Sequence, residues 1–435
     1  MKTLSAFLCS FLLAAASDAE PPDKTNAPAA LTLSAATRAA LANNRSIREA
    51  RARWKSMKAR VPQAAAWDDL KVSANTRLGR FVDIAPNGFT DQMVSIEQMI
   101  PISGKNQSRA RIAAAEALGG LEEFRRREID VVMKVRIAYI RLANGYAQLD
   151  LNRANEASLS QTREIIRSKF EVGAQSQADA LAAEAESIRI SEARRDLERG
   201  ISDQETQLKV LMNIDAFAAL ERPVDDLPNH ARIALEKLRD LILSNRPELR
   251  MAQAKIAAAR AGVELAKREW IPDPTLSVQT QRYNDASQVV SEVSAGISFS
   301  LPWLNGKKYR AEEREAKAGA EAAQDALEAS QAEALGMLRD QLKKIDAFHH
   351  HVELFRDRLL PNARQTVETM RTGYEADKRG FLDLVASQRS LREVESMARQ
   401  HLADYQMALA ELEAIVGADL GLFSRDQQTS KGRSK

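Results

Sequence analysis

Val289 to Leu301 alternates with period two. Val289, Val293, Ala295, Ile297, Phe299 and Leu301 fall on one face, and Glu292, Ser294, Gly296, Ser298 and Ser300 on the other. Pro302 and Gly306 end the run, and a charged, alanine-rich segment follows at once. Ser95 to Ala117 repeats that change around Pro101 and Gly104. A chain that twice feeds an amphipathic strand into a long solvated helix cannot close around one compact core. The first such helix, read over Lys105–Phe170, extends about 100 Å at ~1.5 Å per residue. Val132, Val135, Tyr139, Leu142, Tyr146 and Leu149 space it as a coiled-coil seam, and Leu335, Leu338, Leu342 and Ile345 do the same later. A narrow seam packs on other helices and leaves the remaining faces wet.

The second half of the chain has the plan of the first. Asn44-Arg45 matches Asn245-Arg246, Pro101 matches Pro302, and Phe170–Leu181 matches Tyr374–Val385. So long a period indicates a duplicated domain and not a solenoid. The predicted first repeat spans 20–230: a helix (Ser34–Arg60), a β-hairpin (70–101), the long helix (105–170), a short helix (178–212) and a connector with Pro223 and Pro228. The second spans 231–417: a helix (Leu235–Glu269), a hairpin (275–302), a long helix (307–371) and a short helix (382–416). Residues 418–435 read as a polar, disordered tail. In each half the two short helices together nearly match the long one. They can therefore stack end to end beside it.

Residues 1–19 read as a secretory signal, with Lys2 as the positive start, Leu4–Ala16 as the apolar core and Ser17-Asp18-Ala19 as the cleavage site. The only cysteine, Cys9, lies inside that signal, so the mature chain offers neither disulfides nor thiolate metal sites. Beyond it no run of about 18 apolar residues occurs, so no transmembrane helix is predicted. Only 5% of the 435 residues are aromatic and 28% are charged, which favours long helices. The net charge of +3 comes from interspersed acids and bases, so no nucleic-acid footprint is read. An exported chain of this kind is periplasmic, secreted or embedded as a β-barrel.

The other strands alternate as well. Leu276, Val278 and Thr280 oppose Ser277, Gln279 and Gln281; Val72, Ala74 and Leu78 oppose Lys71, Ser73, Asn75 and Arg77; Val94, Ile96 and Ile100 oppose Ser95 and Glu97. A soluble hairpin on a core gives the same pattern. Two features favour a membrane barrel: a run of about 9–11 residues, the length that crosses a bilayer, and Trp67, Trp270 and Trp303 at the hairpin–helix boundaries, where interfacial aromatics sit. Four strands cannot close a barrel, because about eight are needed. The chain must therefore share its barrel, and a cyclic trimer supplies twelve strands under a ring of helices.

This duplicated helix, hairpin and long-helix plan resembles the TolC-type outer-membrane efflux proteins over nearly the whole mature chain. The resemblance rests on the two junctions where a strand ends in Pro and soon meets Gly-Lys (Pro101 and Gly104; Pro302 and Gly306) and on the two Phe/Tyr-containing turns that end in Asp179 and Asp383. The first junction, PISGKNQSRARIAAAEA, resembles the subgroup that serves heavy-metal cation efflux. The fold implied is mainly α with a small β part: a long coiled-coil-like α-helical barrel plus a membrane β-barrel shared by three chains, four strands per chain, with a two-fold internal repeat. The function implied is that of a homotrimeric, passive duct subunit of a tripartite efflux system for metal cations. It would lie in the outer membrane of a Gram-negative bacterium, against outer-membrane lipid, and extend into the periplasm. Its partners would be a periplasmic adaptor (membrane fusion) protein and an inner-membrane proton-driven pump.

The resemblance makes the turns 172–179 and 376–383 the periplasmic aperture and adaptor contact. Gly173 and Asp179 match the first turn; Arg379 and Asp383 match the second. Asp377 replaces the usual glycine there, and Asp tolerates the left-handed backbone better than most residues. Ala386 stands where the family often has a second acid. A threefold ring of Asp383 carboxylates would attract cations, although an acid in a helix's first turn also favours the positive end of the dipole. His349-His350-His351 points in three directions about 100° apart, so these three cannot share one ion without partners. No metal site, cofactor or catalytic set is predicted. The competing reading is a soluble periplasmic coiled-coil adaptor or scaffold protein.

Overall fold

A computed structural model describes residues 31–77, 91–171, 176–225, 227, 234–285, 288–376 and 378–423. The predicted signal peptide, Gly173, Asp377 and the end of the tail lie outside the described residues. The helices are α1 (Leu33–Asn43), α2 (Arg45–Ala65), α3 (Lys105–Glu171), α4 (Gln177–Met212), α5 (Leu235–Asn245), α6 (Pro247–Arg268), α7 (Gly306–Leu354), α8 (Leu360–Glu375) and α9 (Phe381–Val416). The strands are β1 (Lys71–Thr76), β2 (Gln92–Met99), β3 (Thr275–Asp285) and β4 (Gln288–Ser298). Helices α2 and α4 both pack along α3, and α6 and α9 both pack along α7, so short helices stand end to end beside long ones. The 67 residues of α3 make it about 100 Å long.

Each first helix, read as continuous, is two helices. Asn44 stops α1 and caps α2, its Oδ1 accepting from Ser46 N (2.9 Å) and Ile47 N (3.4 Å). Its Nδ2 donates to Leu211 O at the end of α4 (2.8 Å). In the second half Arg246 sits before Pro247, the first residue of α6, and donates to Ile415 O near the end of α9 (3.1 Å). The buried positions pair as Ala36 with Leu238, Ala40 with Ile242 and Ile47 with Leu249. The Asn-Arg dipeptide match is thus one residue out of structural register, because burial sets the helical phase and sequence identity does not.

The second long helix is also interrupted. A π turn over Phe355–Leu359 separates α7 from α8. Pro361 follows it and has no N–H to donate to the preceding turn, so one wider turn absorbs the missing bond.

Two hydrophobic clusters fill the two halves. The first joins Val135, Tyr139, Leu142 and Leu149 of α3 to Ala36, Ile47 and Leu208. The second joins Leu338, Ile345 and Val352 of α7 to Ile242, Tyr405 and Leu409. The seam of α3 is broader than the sequence spacing shows. Ile140 and Ala143 are buried too, beside Leu402 and Ala403 of α9. The hydroxyl of Tyr139 donates to Leu31 O (2.7 Å) and accepts from Val224 N (3.0 Å), which ties the start of α1 and the connector to α3.

Residues 418–423 of the expected tail are packed. Glu413, 4% exposed, pairs with Arg136 of α3 and accepts from Leu420 N (3.1 Å) and Leu422 N (3.2 Å). Arg136 also lies over the Phe423 ring at 4.8 Å. One carboxylate so joins the two halves and folds the chain end onto the core. Glu413→Ala leaves Arg136 buried without its partner and two amides without an acceptor. It is expected to destabilise the protein by about 3–5 kcal/mol, read as a fall in the thermal unfolding midpoint in detergent; an unchanged midpoint would contradict the clamp.

Candidate functional site

The two hairpins fuse into one antiparallel sheet in the order β1-β2-β3-β4. Val72, Ile96, Val278 and Ala295 lie across from one another in register, as do Ala74, Val94, Thr280 and Val293. Ser73, Ser95, Gln279 and Ser294 form the row between them, on the opposite face. Ser73 and Ser95 hydrogen-bond across the strands (2.7 Å), and Tyr283 donates to Glu292 (2.9 Å). The apolar face is bare: Val72 is 63% exposed, Val278 53% and Val293 77%. Among the described residues no strand pairs with the outer edge of β1 or of β4, and no helix is long and apolar enough to cross a membrane. A greasy face with two open edges is unstable in water and invites further strands.

The junctions below the sheet hold the hairpins to the helices. Asp273 accepts from Ser103 N (2.8 Å) and Ser103 Oγ (2.7 Å), and Lys105 reaches Asp273 (3.5 Å) and Glu269 (3.4 Å). Gly104 has φ +73°, and a Cβ there would lie 2.1 Å from a guanidinium nitrogen of Arg268, which donates to Ser103 O (3.0 Å). The left-handed backbone favours glycine at 104, and a side chain there would have to push the Arg268 guanidinium aside. Gly306 differs, with right-handed backbone beneath the Trp270 ring. Pro302 is buried at the start of a 3₁₀ turn, whereas Pro101 is half-buried. Trp67 and Trp303 are exposed, and Trp270 packs on Tyr309 at 5.4 Å between centroids.

At the far end the helices that flank the two turns come together. Ile166 and Ala183 of the first half pack with Tyr374, Phe381, Leu384 and Val385 of the second, and Lys169 lies over the Tyr374 ring at 4.8 Å. Asp179 is bound into the cap of α4: Ser176 Oγ donates to its carboxylate (2.6 Å), and Asp179 N donates back (3.2 Å). Asp383 is exposed in the first turn of α9. The stem of Arg379 lies over Gly373, where a Cβ would meet its Cγ at 2.8 Å.

Sequence reading missed the polar lock behind this cluster. Glu186 of α4, 3% exposed, accepts from Arg389 of α9 (2.6 Å) and contacts Arg392; Arg189 lies at 3.4 Å. Single charges on alternating helices carry no signal of which ones become buried. Burial pushes the Glu186 carboxyl up, but the guanidinium groups of Arg389 and Arg392 outweigh it and hold it below its ordinary 4.5.

Taken together, the fold is a four-stranded amphipathic sheet with an exposed apolar face, standing on a tall helical bundle. The family described as outer membrane efflux protein matches residues 36–213 and 238–418, and this chain belongs to it. The chain is 27% identical over 282 residues to the toluene efflux pump outer membrane protein TtgF of Pseudomonas putida, covering 61% of this chain and 57% of that protein. It is 25% identical over 333 residues to the cobalt-zinc-cadmium resistance protein CzcC of Cupriavidus metallidurans, covering 73% of this chain and 75% of that one. The crystal structure of CusC, described for its transmembrane channel formation, superposes with a TM-score of 0.77 over 89% of this chain and 92% of that chain, at 15% identity.

Two tests follow. Val278→Arg places a charge on the bare apolar face, at about 2–4 kcal/mol near a bilayer midplane, and is expected to deplete the outer-membrane fraction, whereas Gln279→Arg on the other face is tolerated. Equal losses would refute the facing. The lowered Glu186 carboxyl stabilises the fold above its ordinary pKa, and that share is lost as pH falls through the lower folded value. Glu186→Gln is expected to lower the melting temperature at neutral pH and to flatten its acid decline; parallel pH profiles would refute the lock.

Proposed function

We propose that this chain is the outer-membrane duct subunit of a tripartite efflux system. Three copies close a twelve-stranded barrel by joining β4 of one copy to β1 of the next, and their helices continue the lumen into the periplasm. The observation that carries this reading is the four-stranded sheet with a bare apolar face and two open edges. Membership of the outer membrane efflux family supports it. The duct conducts passively, and a periplasmic adaptor and an inner-membrane proton-driven pump supply docking and energy. A soluble scaffold would have to hide that face, and no described element covers it.

The substrate class we infer is metal cations. Its support is the likeness to the cobalt-zinc-cadmium resistance protein and the exposed Asp383 at the helical tip, which threefold symmetry would turn into an acidic ring. In the same proposal the turns carrying Gly173, Asp179, Asp377, Arg379 and Asp383 form the periplasmic aperture, and Trp67, Trp270 and Trp303 mark the membrane interface.

Fractionation and sizing test the assembly: a trimer in the detergent-solubilised outer membrane is expected, and a soluble periplasmic monomer would overturn the duct. Asp383→Asn is expected to lower the cation selectivity of single channels; unchanged selectivity would remove the acidic ring.

A further inference from the structure

Four of the chain's five histidines lie at one level of the α7–α9 pair, just before the π turn. His350 is exposed, and His349 packs on Tyr405 at 5.5 Å between ring centroids and faces Glu353 at 3.7 Å. His351 meets a partner from the other helix. Its ring centroid is 4.8 Å from that of His401, and the Phe355 ring also packs on His401 at 4.8 Å. The Nδ1 atoms of both His351 and His401 are buried and have no hydrogen-bond partner. Buried nitrogens in that state are rare in folded proteins and require a reason.

We propose that His351 and His401 form a two-imidazole site for a divalent transition-metal ion that bridges α7 and α9. An ion about 2.0–2.1 Å from each nitrogen holds the two nitrogens at most about 4 Å apart, a separation that rings this close can reach. The donor set selects the ion. Imidazole nitrogens without thiolate or carboxylate suit Cu²⁺, then Zn²⁺ and Ni²⁺, and not Mg²⁺ or Ca²⁺. Asp404, one turn from His401, is engaged by Gln400 Nε2 (2.8 Å) and stays outside the set. Among the described residues no group of three or more His, Cys, Asp or Glu could hold a metal, so water completes the coordination.

The site is independent of what the duct conducts. A bound ion would staple the two helices where the α7 ladder widens into the π turn, and so stiffen the helical pair that runs to the tip.

The test uses the full, untagged chain in detergent, titrated with Cu²⁺ alone and Zn²⁺ alone. One Cu²⁺ per chain is expected, with an electron paramagnetic resonance spectrum showing two nitrogen ligands. His351→Gln and His401→Gln are each expected to weaken binding by at least about tenfold, and His350→Gln to leave it unchanged. Zn²⁺ is expected to raise the melting temperature of the wild type and not that of His401→Gln, each measured against its own metal-free baseline. A wild-type spectrum without two nitrogens, or equal affinity in the His351→Gln/His401→Gln double variant, overturns the site. If the variants fail to fold, the wild-type spectrum decides.

Discussion

The unpaired edges of the four-stranded sheet are the constraint on which the rest depends. Backbone amides and carbonyls along β1 and β4 need partners, and the apolar rows through Val72, Ile96 and Val278 need an apolar surround. No described residue of the chain provides either. The proposed trimer meets both needs, and it requires all three copies to present their sheets at one height. Long helices and bonded junctions serve that requirement. The Asp273 bonds to Ser103, the Lys105 pairs and the left-handed Gly104 set the exit of the first hairpin against the entry of the second.

Two buried carboxylates keep the repeats in step along the bundle. Glu413 links α9 to Arg136 of α3 and gathers the chain end, while Glu186 links α4 to Arg389 and Arg392 of α9 nearer the tip. Apolar seams between long helices slide easily in register. A buried ion pair has one acceptable register and is costly when broken, so it specifies alignment more than it adds stability.

Much of this was legible in the residues. The alternation of Val289–Leu301 and the spacing of Val135, Tyr139, Leu142 and Leu149 report on local periodicity, and local periodicity survives folding. The breaks were harder to see. Asn44 reads as one more helical residue until Leu211 O is there to receive its amide, and Pro361 inside a long pattern does not announce a π turn. At the tip, Asp179 and Asp383 look equivalent in sequence. One is tied into a serine cap and the other is exposed, a difference made by the preceding Ser176 and Gly380.

Sequence by itself determined the duplicated plan, the amphipathic strands and the long helices, since each follows from residue order and hydrophobic period. Tertiary structure decided which charges are buried, which residues of the tail pack and which histidines meet. Glu186 finds Arg389, Glu413 finds Arg136, and His351 finds His401. Those pairs join positions far apart in the chain. Their chemistry depends on desolvation and on a facing partner, and neither is encoded in local periodicity.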